Sequence, residues 1–132
     1  MEHSRLEAFS IFSELSPDEL DAVASVASEA EVEAGKELAI EGDFGHNLFA
    51  IESGTAEVSH DGEVVRTLGP GEIFGEIAVL KSGRRTATVV ATSRMKVITL
   101  FKRDVWALEK SSPEAAQRLR ALVAERLATQ TS

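Results

Sequence analysis

Apolar residues change their spacing twice along the chain. Leu6, Phe9, Ile11, Phe12 and Leu15, then Leu20, Val23, Ala24 and Ala27, recur at helical intervals. Two start signals accompany them. Ser4 and Glu7 outline a capping box. Ser16-Pro17-Asp18-Glu19 is stronger, with Ser as N-cap, Pro at the first helical position and Glu three residues after the cap. Residues 1–30 are expected to be helical. From Glu31 the rhythm is that of short strands, over 37–40, 48–52, 55–60, 63–68, 86–92 and 95–100. Turn residues separate them: Gly35, Gly42-Asp43, Gly54, Asp61-Gly62 and Gly69-Pro70-Gly71. Asp61-Gly62 predicts a two-residue hairpin turn, because a type I′ turn needs positive φ at both central positions. Helical spacing returns over 103–110, with Val105, Trp106 and Leu108. A last helix, opened by Ser112-Pro113-Glu114, runs over 113–128. Its apolar stripe is Ala116, Leu119, Val123 and Leu127, with Leu122 off the stripe.

This order predicts an α+β fold in a single domain, residues 1–132. An antiparallel β jelly-roll sandwich occupies 31–101, between N-terminal helices (1–30) and C-terminal helices (102–132). Neither an internal repeat nor a low-complexity linker interrupts it. A chain of 132 residues suits one core. The absence of Cys excludes disulfides, thiolate metal sites and a cysteine nucleophile, and fits a cytoplasmic protein. No apolar run reaches the ~18 residues of a membrane helix, so no membrane insertion is expected. The N-terminus also lacks the basic start and apolar stretch of a signal peptide.

Charge refines the picture. The net −8 is unevenly spread: residues 1–63 hold 16 acidic and 2 basic side chains, residues 64–132 hold 6 and 12. An acidic chain repels a polyphosphate, which disfavours nucleic acid as a partner. A small anion captured by the second half remains open.

The stretch 74–89, Phe-Gly-Glu-Ile-Ala-Val-Leu-Lys-Ser-Gly-Arg-Arg-Thr-Ala-Thr-Val, breaks the strand rhythm. A short helical piece (76–80) is followed by a Gly loop, two arginines and a β run. Gly75 lets a ligand approach the backbone. A helix start offers free N–H groups, and an Arg just beyond adds a bidentate contact to phosphate oxygens. The combination describes an anion cradle.

This segment resembles the phosphate-binding cassette of the cyclic-nucleotide-binding domain family. The matching residues are Phe74-Gly75-Glu76-Ile77-Ala78 and Arg85-Thr86-Ala87-Thr88-Val89. Glu41-Gly42-Asp43, Leu48-Phe49-Ala50-Ile51 and Ser53-Gly54 extend the resemblance upstream. The resemblance covers about Phe9 to Leu127. It implies a jelly roll with C-terminal lid helices, and a ligand, cAMP or cGMP, in place of any cofactor. It also implies roles. Arg85 would pair with the cyclic phosphate and Glu76 would accept from the ribose 2′-hydroxyl. Backbone groups around Gly75, Ile77, Ala78, Thr86 and Ala87 would complete the cradle, with Val58 and Leu68 beside the base. Thr86 either meets a guanine amino group or simply opens a strand. Arg84, where the family often has Pro, reaches ligand or solvent. Arg66, on the face of Leu68, sits beside the base or at the rim. His46 replaces an often acidic turn residue. Arg118, Arg120 and Arg126 on the last helix reach the base or a partner.

No helix-turn-helix follows Leu127, so a stand-alone sensor acting on a protein partner in trans is expected, with Leu122 hinting at a homodimer seam. Two other classes compete. A module of the same fold that binds no nucleotide would be expected to lose Arg85 or Glu76, and both are present. A cupin-like metalloenzyme needs clustered His ligands. His3, His46 and His60 lie far apart in sequence, and no GxSxG nucleophile motif occurs. No catalytic residue and no metal are therefore expected.

Overall fold

A computed structural model describes residues 1–80 and 83–130 of the chain. The chain enters through a 3₁₀ turn, His3–Ala8, and two helices, α1 (Ser10–Ser13) and α2 (Pro17–Val26). The capping box expected at Ser16 forms: Ser16 Oγ accepts from Glu19 N–H (3.2 Å), and Glu19 Oε1 accepts from Ser16 N–H (2.8 Å). At Ser4 no cap forms, and the segment is 3₁₀ rather than α-helical.

Helix does not extend to residue 30. Ala27 turns extended, and β1 (Ser28–Val32) pairs antiparallel with β10 (Met95–Phe101). Four of the five β1 side chains are exposed, so main-chain pairing rather than apolar alternation makes this strand. The remaining strands are β2 (Glu37–Ala39), β3 (Phe44–Gly45), β4 (Asn47–Ser53), β5 (Ala56–His60), β6 (Glu63–Leu68), β7 (Ile73–Phe74), β8 (Gly83–Arg84) and β9 (Thr88–Ala91). One sheet has the order β1-β10-β4-β7, the other β2-β9-β5-β6, and β3 pairs with β8 as a flap. All pairings are antiparallel, as the jelly-roll expectation required. Asp61 (φ 51°) and Gly62 (φ 82°) form the expected turn between β5 and β6.

Two apolar cores result. One lies between the sheets and holds Ile51, Val58, Leu68, Phe74, Val89 and Met95. The other joins the outer face of the β1-β10-β4-β7 sheet to the helices through Leu48, Ile98, Leu100, Phe9, Phe12 and Leu119. The short helix α3 (Ile77–Leu80) follows β7, and two helices close the chain: α4 (Lys102–Ser111) and α5 (Pro113–Gln130). Asp104 Oδ2 accepts from Phe101 N–H at the start of α4 (2.8 Å), and Ala116 N–H donates to Ser112 O at the start of α5 (3.1 Å). The Leu119 and Val123 stripe of α5 is buried against α1 and α2, and Arg118 donates to Glu14 O (3.0 Å). The last two residues of the expected C-terminal helices, and Lys81 and Ser82 of the cassette, lie outside the described residues.

Candidate functional site

Arg85 is held by three neighbours that strand geometry brings together. Its Nη2 donates to Asn47 O (2.9 Å) and Asn47 Oδ1 (3.0 Å). Its own N–H donates to Asp43 O and its carbonyl accepts from Gly42 N–H, strapping the β2–β4 connection to the cassette. Glycines make room for the guanidinium. A Cβ on Gly75 would stand 2.5 Å from Arg85 Nη1 and 2.7 Å from Asn47 O; one on Gly45 would stand 2.6 Å from Arg85 Nε. Gly75 also has φ +79°, a conformation that other residues adopt only with strain. The half-buried Arg85 has neutral partners only, with no carboxylate within 4 Å among the described residues. Burial lowers its pKa from the ordinary 12.5.

Glu76 is 6% exposed. Burial raises its carboxyl above the ordinary 4.5, opposed chiefly by the charge of Arg126. Arg126 Nε on α5 lies 3.7 Å from Glu76 Oε2, so the last helix reaches this acid.

Arg85 and Glu76 both line a cavity with a volume of about 290 Å³. That is close to the lower end of the ~300–1,000 Å³ usual for small-molecule sites. Gly75, Glu76, Ile77, Arg84, Arg85, Thr86 and Ala87 line it together with Ala39, Val58, Arg66, Phe74, Val89 and Leu127. Phe74 is backed by Phe49, stacked at 4.7 Å. A larger groove of about 680 Å³ runs beside β1, but its cation, Arg5, is already paired with Glu29 and Glu52.

The structure brings most of the expected site residues to this cavity, and Leu68 is an exception. Leu68 is 1% exposed, packs in the inter-sheet core and does not line the cavity. Ala78 lies in α3. Arg84 lines the rim, where its guanidinium covers the Phe44 ring at 4.4 Å and donates to Gly42 O (2.7 Å). His46 is exposed. His60 holds Thr86: its Nδ1 lies 3.0 Å from Thr86 O and 3.2 Å from Glu41 Oε2. Glu41, His60 and Asp61 bring their ligand atoms within 4.8 Å, a cluster that the separation of the histidines in sequence did not suggest.

Asn47, Gly45 and His60 were not anticipated as site residues. Asn47 and Gly45 sit in the Glu41 to Ile51 stretch that suggested only turns and a strand. The one signal available was the polar Asn47 opening an otherwise apolar strand.

Comparison with known proteins agrees with this geometry. The profile of the family described as "Cyclic nucleotide-binding domain" matches residues 29–112, and the chain belongs to that family. It is 37% identical over 122 residues to the cyclic AMP receptor protein of Thermus thermophilus, covering 89% of this chain and 56% of that protein. It is 40% identical over 99 residues to the cAMP-dependent protein kinase regulatory subunit of Yarrowia lipolytica, covering 74% of this chain and 26% of that one. The chain thus spans about half of the first relative and a quarter of the second. Among solved structures, the N-terminal domain of a transcriptional regulator from Streptomyces coelicolor superposes with a TM-score of 0.81 at 26% identity, over 98% of this chain and 92% of that one. The family is regulatory rather than catalytic.

Proposed function

We propose that the chain is a sensor module for a purine 3′,5′-cyclic monophosphate, cAMP or cGMP, that regulates a protein partner through its C-terminal helices. The observation that carries this reading is Arg85, a half-buried cation seated by two glycines and Asn47, facing a cavity and lacking a carboxylate among the described residues. Burying a charge without a counter-charge is costly, so an anionic ligand is its natural complement. A cyclic phosphate at Arg85 places the ribose toward Glu76, whose carboxylate accepts from the 2′-hydroxyl. Backbone N–H groups of the Gly75–Ala78 turn supplement Arg85. The base is left with the apolar wall of Val58, Val89 and Leu127. The names of the Thermus and Yarrowia relatives report cAMP, which supports the ligand class.

Regulation follows from two contacts of α5 at the cavity, Arg126 with Glu76 and Leu127 on the lining. A nucleotide that changes either contact shifts the helix between two positions, by as much as its affinities for the two differ. Titration calorimetry with cAMP and cGMP tests the reading. Binding of one or both tighter than millimolar, about −4 kcal/mol, is expected. Failure of both to bind leaves the module as a protein-interaction domain without nucleotide.

A further inference from the structure

We infer that Glu41, His60 and Asp61 bind a divalent transition-metal ion of the zinc type. The inference goes beyond the cyclic-nucleotide reading and does not depend on it, since none of the three lines the cavity. Two stretches of chain supply them. Glu41 follows β2, while His60 ends β5 and Asp61 opens the turn to β6. Their ligand atoms lie within 4.8 Å of one another. Each residue is held by a contact of its own. Glu41 N–H donates to Thr88 Oγ1 (2.9 Å), and Glu41 Oε1 accepts from Asp61 N–H (3.0 Å). His60 Nδ1 lies 3.0 Å from Thr86 O, a carbonyl outside the cluster. No Lys or Arg pairs with Glu41 or Asp61 among the described residues.

Oxygen atoms face both ring nitrogens of His60. Thr86 O (3.0 Å) and Glu41 Oε2 (3.2 Å) lie at Nδ1, and Asp61 Oδ2 lies 3.4 Å from Nε2. A neutral imidazole has one N–H. When Nδ1 donates it to Thr86 O, Nε2 presents a lone pair to a carboxylate that has only lone pairs. A cation between them satisfies both. Metal-binding histidines almost always give their other N–H to a carbonyl or carboxylate, which fixes the tautomer. The spacing agrees. Donors about 2.0–2.2 Å from a tetrahedral ion stand roughly 3.3–3.5 Å apart, and Nε2 to Oδ2 is 3.4 Å. Glu41 supplies the third ligand, and water takes the fourth position, since His60 and Asp61 are exposed. Two carboxylates balance the charge of a divalent ion. One imidazole beside them favours zinc, nickel or cobalt over magnesium and calcium, which take oxygen ligands.

The experiment titrates the full, untagged chain, first stripped with a chelator, with Zn²⁺ and separately with Mg²⁺ in a calorimeter. One Zn²⁺ per chain is expected, with a raised melting temperature and no Mg²⁺ binding at the same concentrations. Two variants change the ligands and spare their surroundings. Asp61→Asn keeps a residue that accepts the left-handed turn, and Glu41→Gln keeps an oxygen for Asp61 N–H. Each should weaken Zn²⁺ binding about tenfold or more, and His60→Gln should weaken it further. His3→Gln, which removes the histidine beside Asp21, should change nothing. Absence of Zn²⁺ binding overturns the inference and leaves the cluster as a protonated imidazole between two carboxylates. Zn²⁺ binding that survives His60→Gln, or that His3→Gln abolishes, overturns it too, as does equal binding of Mg²⁺. Failure of cAMP and cGMP to bind would remove the sensor reading and leave the metal site standing.

Discussion

Glu76 is the residue where stability and ligand binding oppose each other. Burial holds its carboxyl above the ordinary 4.5. The native state therefore keeps a proton at pH values where the unfolded chain has lost it. As pH rises through the raised native value, the buried carboxylate becomes charged and native stability falls. Nucleotide binding runs the other way, since the ribose hydroxyl donates best to a carboxylate. Glu76→Gln should leave the ligand-free fold at least as stable as wild type at neutral pH, while weakening nucleotide binding about tenfold or more. Its affinity should also lose the decline that wild type shows as pH falls through the raised value. Melting curves and titrations from pH 5 to 8 check both statements; a parallel pH profile in wild type and variant contradicts the assignment.

At the scale of elements, α5 couples the helical core to the cavity. Leu119 and Val123 bury it against α1 and α2, and Arg126 and Leu127 bring its end to Glu76. Arg126 offsets part of the cost of burying Glu76. Arg126→Ala should lower stability by about 1–2 kcal/mol at neutral pH, discounted from the buried-pair range because Arg126 is partly exposed. The deficit should shrink toward acid, as Glu76 takes up its proton. Urea unfolding at pH 7.5 and 5 measures it, and a deficit equal at both values would show that the lost contact is not electrostatic.

Elements also show what a sequence reveals. β5, β6 and their turn were legible because two strand-like runs flank Asp61-Gly62. β1 was not, because four of its five side chains are exposed and no apolar alternation marks it. The two-residue strands β3, β7 and β8 are too short to display a period. Arg85, Gly75 and Glu76, singled out from the cassette motif, line one cavity in the structure. Asn47 and Gly45 escaped because their roles exist only in three dimensions: one offers two oxygens to Arg85, the other offers space. Leu68 shows the converse, since its strand was expected but the core, not the cavity, takes its side chain.

The whole molecule is acidic, at −8, yet it faces its cavity with Arg66, Arg84 and Arg85. Salt screens exposed charges beyond ~8–10 Å, so capture of a monoanion rests on the local cradle and not on net charge. Within that cradle Arg85 is the half-buried cation proposed to meet the phosphate. Its neighbours are neutral, so its removal should cost the ligand-free fold little. The most direct test is the calorimetric affinity of Arg85→Ala for the tighter of cAMP and cGMP, beside wild type and at matched melting temperature. A loss of roughly 1.5–3 kcal/mol or more is predicted for a charge-assisted phosphate contact. An unchanged affinity in a folded Arg85→Ala protein would contradict the account.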